Sequence, residues 1–198
     1  MALVTSNPEK RPRGAARREA LLEAVLAIVA EVGPDAVTHR RVAERAGLPL
    51  ASTTYWFDSK EDLLTAALQL AAQRDVARLG ALALTAPTRD PTQAVLDALL
   101  DPVDEPSSRA SLMATYALLL EAARRPALQE LARRWTAVYL NTIGELLARA
   151  GASAPRDDAR LILAAADGLL LEQLAAGDPV DPRAALGRLV TILIGARE

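Results

Sequence analysis

At 198 residues, 51% hydrophobic but only 3% aromatic, the chain can form one large domain or a small domain joined to a larger one, and its abundant Ala and Leu favour packed helices over sheet. The absence of cysteine excludes disulfides, thiol catalysis and Cys-based zinc sites, and one histidine offers no imidazole partner for a metal. The net charge of −2 argues against a nucleic-acid partner only if it is evenly spread, and it is not: residues 1–60 carry nine Lys and Arg against seven acids, giving +2, and the remaining 14 basic and 18 acidic residues give −4.

Residues 1–12 are polar, contain Pro8 and Pro12, and are expected to form a disordered basic arm without the apolar run of a signal peptide. The cluster Lys10, Arg11, Arg13, Arg17 and Arg18 leads into a helix over about 14–32 whose buried stripe is Leu21, Leu22, Val25, Leu26, Ile28, Val29 and Val32. Gly33, Pro34 and Asp35 end it. Thr38 is suited to cap a second, short helix that carries His39 and Arg40 and puts Val42, Ala43 and Ala46 on one face, and Gly47 is suited to end it in the left-handed conformation. Leu48 fills the corner before a third segment, 50–57, which Leu50 opens and where Ser52, Thr53, Thr54 and Tyr55 crowd hydroxyls onto a helix too short to be a core element. Such an angled helix pair seats its second helix in a DNA major groove while the first crosses the phosphates. Ser59 and Asp62 form a capping box for a long helix to about residue 84, placing Lys60 in a first turn whose backbone N–H groups suit an anion.

Asp90 and Pro91 open a helix to residue 100, a loop spans 102–106, and further helices cover 107–124, 126–151, 157–176 and, behind Asp181 and Pro182, 182–196. Roughly nine helices result, without strand alternation or repeat. The apolar run 161–176 is interrupted by Asp167 and Glu172, so a soluble cytoplasmic protein with no membrane partner is expected. Leu161, Ile162, Leu163, Leu169, Leu170, Leu171 and Leu174, with Leu186, Leu189, Val190, Ile192, Leu193 and Ile194, exceed what one core face needs. The surplus is either doubly buried core or an interface, and Leu163, Leu170, Leu174, Leu189 and Leu193 are the interface candidates. Tyr116, Trp135, Tyr139, Thr142 and Gln69 lie on or beside apolar stripes, where a ligand or a neighbouring side chain would satisfy them. No metalloprotease motif, nucleophile elbow or phosphate-cradling glycine loop is present, so neither catalysis nor a cofactor or metal is expected.

Ala46, Gly47 and Leu48, then Tyr55, Trp56 and Phe57, then Asp58, Ser59, Lys60, Glu61, Asp62 and Leu63 stand at the spacing found in the TetR (tetracycline-repressor-like) family of bacterial transcription regulators, which this stretch resembles. The chain departs from the pattern at Pro49, Ala51 and Thr54, where a serine, a glycine and an aromatic are usual. The resemblance implies an all-α fold: the arm (1–12), a three-helix DNA-binding domain (13–58), and a helical body (59–198) that binds a ligand and dimerises through its last two helices. It implies a homodimeric repressor released from a palindromic double-stranded operator by a small apolar or amphipathic effector. Arg13, Arg17, Thr38, His39, Arg40, Leu50, Ser52, Thr53, Thr54, Tyr55 and Lys60 are the residues expected to touch DNA, with Lys60 on a phosphate and Trp56 in the core. The three departures motivate one alternative, a helical adapter that keeps the fold without specific DNA binding.

Overall fold

A computed structural model of the chain describes residues 10–85, 90–100, 108–176 and 181–195, with side chains except at 10–13, 83–85 and 108. Among these residues the fold is all-α: α1 (Lys10–Val32), a 3-10 turn (Pro34–Ala36), α2 (His39–Ala46), α3 (Leu50–Trp56), α4 (Lys60–Thr85), α5 (Pro91–Leu100), α6 (Ser108–Ala122), α7 (Pro126–Arg149), α8 (Pro155–Ala176) and α9 (Pro182–Gly195). α1 starts at Lys10 rather than near residue 14. Of the arm expected to be disordered over 1–12, residues 10–12 are helical, and residues 1–9, like the expected loop at 102–106, lie outside the described residues.

The chain divides into two compact units, the described residues of Met1–Ala71 with Ala110–Leu128, and Ala72–Arg109 with Gln129–Glu198. In the first, α1 packs on α2, α2 on α3, and α1 on α3. Leu21, Leu22, Val25 and Ile28 of α1, Val42 of α2, and Leu63, Leu64 and Leu68 of α4 are all essentially inaccessible. Each such side chain contributes about 1.5–3 kcal/mol relative to exposure. The local signals set the angle of the helix pair. Thr38 Oγ1 accepts from Arg41 N at 3.2 Å, capping α2. Gly47 closes it at φ 65°, ψ 29°, while Leu48 N donates to Ala43 O at 3.0 Å, a reversal that a residue with a Cβ adopts only under strain. Arg45 holds both oxygens of Glu31 at 2.6 and 2.5 Å, clamping α2 to α1, and this guanidinium keeps the Glu31 carboxyl below its ordinary value.

In the second unit α9 packs on both α5 and α8. Leu186 and Val190 of α9 and Ile162, Ala166 and Leu170 of α8 are buried. Asp90 and Asp181 cap α5 and α9 through Gln93 N at 3.0 Å and Ala184 N at 3.1 Å, as their Asp-Pro pairs suggest. α5 and α9 are further held by Arg183 on Asp97 at 3.1 Å and by the bare Gly187, whose missing Cβ would lie 3.6 Å from Leu96. A polar knot joins three helices of this unit. Tyr139 of α7 donates to Asp75 Oδ2 at 2.5 Å, and Arg78 of α4 donates to Asp75 Oδ1 at 3.3 Å and to Tyr139 Oη at 3.1 Å. Arg78 also donates to the carbonyls of Asp97 and Ala98 at 3.3 and 2.9 Å, satisfying the last turn of α5. Burial, then the Asp75 carboxylate, push the Tyr139 phenol well above its ordinary value, with Arg78 acting in the opposite sense.

Candidate nucleic-acid interface

α3 is short and polar, and its pitch sorts its hydroxyls between two faces. Leu50, Ala51, Thr54 and Tyr55 are exposed, Tyr55 at 77%, and Ser52 is half-exposed. Thr53 corrects the expectation that it faces DNA: it is 0% exposed and its hydroxyl donates to Leu50 O at 2.7 Å. It shares its side of the helix with the buried Phe57, four positions on, and the internal bond removes the penalty for its hydroxyl. Thr54 remains outward, with a weak bond to Ala51 O at 3.4 Å.

The helices packed on α3 carry exposed basic groups. Arg17 on α1, and Thr38, Arg40 and Arg41 at the start of α2, are exposed. Arg40 shares its charge with Glu44 at 2.9 Å, a pair whose side chains are both mostly in water and therefore readily exchanged. Arg45, committed to Glu31, is a structural rather than a phosphate-facing cation. His39 is half-buried at the start of α2, with its Nδ1 enclosed and lacking a hydrogen-bond partner. Arg13 lies in α1, but its side chain falls outside the described residues. Trp56 differs from its expected place in the core. It is 38% exposed, meets Tyr55 edge-on at 5.0 Å, and lies over Gly14 of α1.

Ser59 caps α4 by accepting from Asp62 N at 3.1 Å, and Asp62 reaches back to Asp58 N at 3.2 Å. Lys60 then stands in the first turn, where its ammonium donates to Asp35 O at 3.1 Å and Asp35 Oδ1 at 3.4 Å. Sequence reading missed this partner because it lies 25 residues away, across the α2 and α3 hairpin.

The five residues expected at a ligand are divided between the two units. Gln69 is exposed on α4 beside the buried Leu68, and Tyr116 is half-buried on α6, both in the first unit. Trp135, Tyr139 and Thr142 share one face of α7 in the second unit. Tyr139 is saturated by Asp75 and Arg78, whereas the buried Trp135 Nε1 has no partner. An open groove of about 690 Å³ between α5 and α9, lined by Thr92, Gln93, Leu96, Arg188 and Thr191 among others, includes none of the five.

On the last two helices Leu170 is 4% exposed and belongs to the chain's own core, correcting its expected place at an interface. Leu163, Leu174, Leu189 and Leu193 are half-exposed. The outward stripe of α8 is instead Leu161, Ala164, Gly168, Leu171 and Ala175, at alternating spacings of three and four. Leu161 is 57% and Leu171 52% exposed, and Ile192 of α9 is 64% exposed. The surplus of leucine was readable in the sequence, but its phase around the helix was not. Among the described residues no helix is long and apolar enough to cross a membrane, and no cluster of acids and histidine could hold a metal ion.

Comparison with known proteins agrees with this geometry. Residues 21–67 match the family model of bacterial regulatory proteins of the tetR family, and residues 87–196 match that of the tetracyclin repressor-like C-terminal domain. The HTH-type transcriptional regulator BetI of Rhizobium meliloti (strain 1021) is 31% identical over 179 residues, covering 86% of this chain and 84% of that protein. The multidrug binding protein EbrR, solved with ethidium, is 33% identical with a TM-score of 0.66 over 87% of this chain and 97% of that one. A transcriptional regulator from Rhodococcus sp. Rha1 superimposes with a TM-score of 0.80 over 89% of this chain and 95% of that one; at 24% identity it speaks for the fold alone. These relatives are regulators and not enzymes, and the chain belongs to the TetR family of bacterial transcriptional regulators, with a DNA-binding helix-turn-helix at its N-terminal end.

Proposed function

We propose that the protein is a homodimeric, ligand-responsive repressor that acts in the cytoplasm by binding a palindromic operator and leaves it when a small apolar or amphipathic effector binds. The observation that carries the DNA half is the outward side of α3, where Leu50, Thr54 and Tyr55 are exposed and Ser52 is half-exposed, with exposed Arg17 and Arg40 on the two helices packed against it. Side chains of this kind read base edges and phosphates when a short helix enters the major groove, and the flanking arginines supply sequence-independent attraction. The apolar stripe Leu161, Gly168 and Leu171 supports pairing of two chains, which would present two recognition helices to successive turns of a duplex.

The effector half rests on α4 and on relatives. α4 is one continuous helix, with Lys60 in its first turn and Asp75 and Arg78 further along. An effector that prefers a different placement of the Asp75 and Arg78 segment would move the start of the same helix and change the separation of the two heads. An effector with equal affinity for both placements would shift nothing. EbrR, 33% identical, is a multidrug binding protein solved with ethidium, which supports an apolar or aromatic effector.

Two substitutions separate positioning from reading. Lys60→Ala is expected to weaken binding across all DNA sequences and to flatten the salt dependence by about one phosphate. Asp35→Asn is expected to strengthen binding, because it removes a carboxylate held 3.4 Å from that ammonium. Fluorescence anisotropy over a salt series checks both, and unchanged slopes in both variants would remove Lys60 from the interface. The proposal as a whole is tested by incubating the protein with sheared genomic DNA, sequencing what is retained, and titrating ethidium into the protein without DNA, because the dye intercalates into duplexes and would displace a bound protein by itself. Retention of particular inverted repeats, and saturable binding of the dye by the protein alone, is the expected result. Retention of no fragment above background would favour the helical adapter, and a protein that binds no ethidium would exclude a site for that class of compound.

A further inference from the structure

Gly14 lies within α1 beside Trp56. A Cβ built there would stand in ordinary contact, 3.7 Å from Trp56 Cζ2 and 4.0 Å from Cη2, so the indole packs close to the helix backbone in a notch that a side chain longer than alanine's would fill. One helical turn on, the guanidinium of Arg18 stands 5.5 Å over the ring of Phe57. Residues four apart share a face, so α1 is held on the end of α3 at two successive turns, by Gly14 under Trp56 and by Arg18 over Phe57. The indole also meets Tyr55 in an edge-to-face contact at 5.0 Å, and Tyr55 is 77% exposed on the face assigned to DNA. Trp56 thus bridges the recognition helix and the beginning of α1. That beginning carries Lys10, Arg11 and Arg13 in the sequence, within a turn of the notch.

Resting on the DNA-binding reading above, we propose that Trp56 is a positioning residue: it seats the first turns of α1 against α3 and so adds the basic start of α1 to the DNA footprint. A helix start that sets several cations against the positive end of its dipole frays without a tertiary anchor, because its first turn has few internal hydrogen bonds to lose. The notch supplies that anchor. Bases are read elsewhere, so Trp56 acts on affinity and salt dependence and leaves sequence preference alone.

The test uses the full chain and a fluorescein-labelled duplex recovered by selection from a randomised library, titrated at several salt concentrations. Trp56→Ala is expected to weaken binding about ten-fold near physiological salt and to make the salt dependence shallower by about two phosphates, each worth a slope of about 0.9. The ranking of duplexes of different sequence should stay as in the wild type. Combining Trp56→Ala with Lys10→Ala, Arg11→Ala and Arg13→Ala should weaken binding no further than the three charge removals alone. Gly14→Leu fills the notch with a good helix former and keeps Trp56, so it should reproduce the shallower slope even if Trp56→Ala fails to fold. An unchanged slope in Gly14→Leu, or a Trp56→Ala effect of full size in the charge-stripped chain, overturns the proposal. A wild type that binds no duplex in a salt-dependent way overturns the DNA-binding reading itself, which is a different outcome.

Discussion

Leu161→Glu combined with Leu171→Glu is expected to hold the protein as a monomer and to lower its affinity for an operator duplex by about 10²–10⁴-fold. Both leucines are more than half exposed on α8, so their replacement removes no core packing from the single chain, and Glu172 adds a like charge beside position 171. Carboxylates facing their own copies across a two-fold axis repel one another in an apolar setting, where an unpaired charge is expensive. Each head would then bind alone, and the second head would lose the high local concentration that the first gives it. Sedimentation velocity reads the mass and anisotropy reads the affinity. Leu170→Glu is the instructive contrast. That residue is 4% exposed, so the substitution should unfold the second unit rather than merely separate two folded chains. A double glutamate variant that sediments as a dimer and binds like the wild type would place the interface elsewhere.

Asp75→Ala is expected to destabilise the fold by about 3 kcal/mol, because it leaves the part-buried Arg78 without its carboxylate and the Tyr139 hydroxyl without its acceptor. For a chain of this size that is a fall in melting temperature of about 6–12 °C. Tyr139→Phe removes only the hydroxyl and should lose about 1 kcal/mol. The same phenol gives a pH signature. Its ionisation in the fold is pushed above the ordinary value of 10.0, so above that pH the unfolded chain loses a proton that the folded chain keeps. Stability from this group is therefore whole below pH 10 and declines as pH rises further towards its value in the fold. Thermal melts at increasing pH should show the wild type losing more stability above pH 10 than Tyr139→Phe does; parallel curves would mean that the phenol is not enclosed.

The helical plan was legible because its signals are local. The Thr38 and Ser59 caps, the Gly47 reversal and the two Asp-Pro starts each act within four residues, and each appears in the structure where the sequence places it. What the sequence did not disclose depends on helix phase or on distant partners. Thr53 and Thr54 are chemically identical neighbours, and only the turn of α3 decides that one is buried and the other outward. Leu170 and Leu171 divide in the same way between core and surface. The pairing of Lys60 with Asp35, of Arg45 with Glu31, and of Asp75 and Arg78 with Tyr139 each needs tertiary contact that no spacing rule encodes. Trp56 was expected inside because large aromatics usually are, and it instead lies against Gly14, far earlier in the chain, with 38% of its surface exposed.

The central claim is that two copies of this chain each offer α3 to one duplex. Sedimentation equilibrium of the protein with a duplex recovered by genomic selection measures this most directly. The account predicts two chains per duplex, on an inverted repeat whose half-sites lie one helical turn, about 34–36 Å, or a multiple of it apart. One chain per duplex on a single unrepeated site would contradict it.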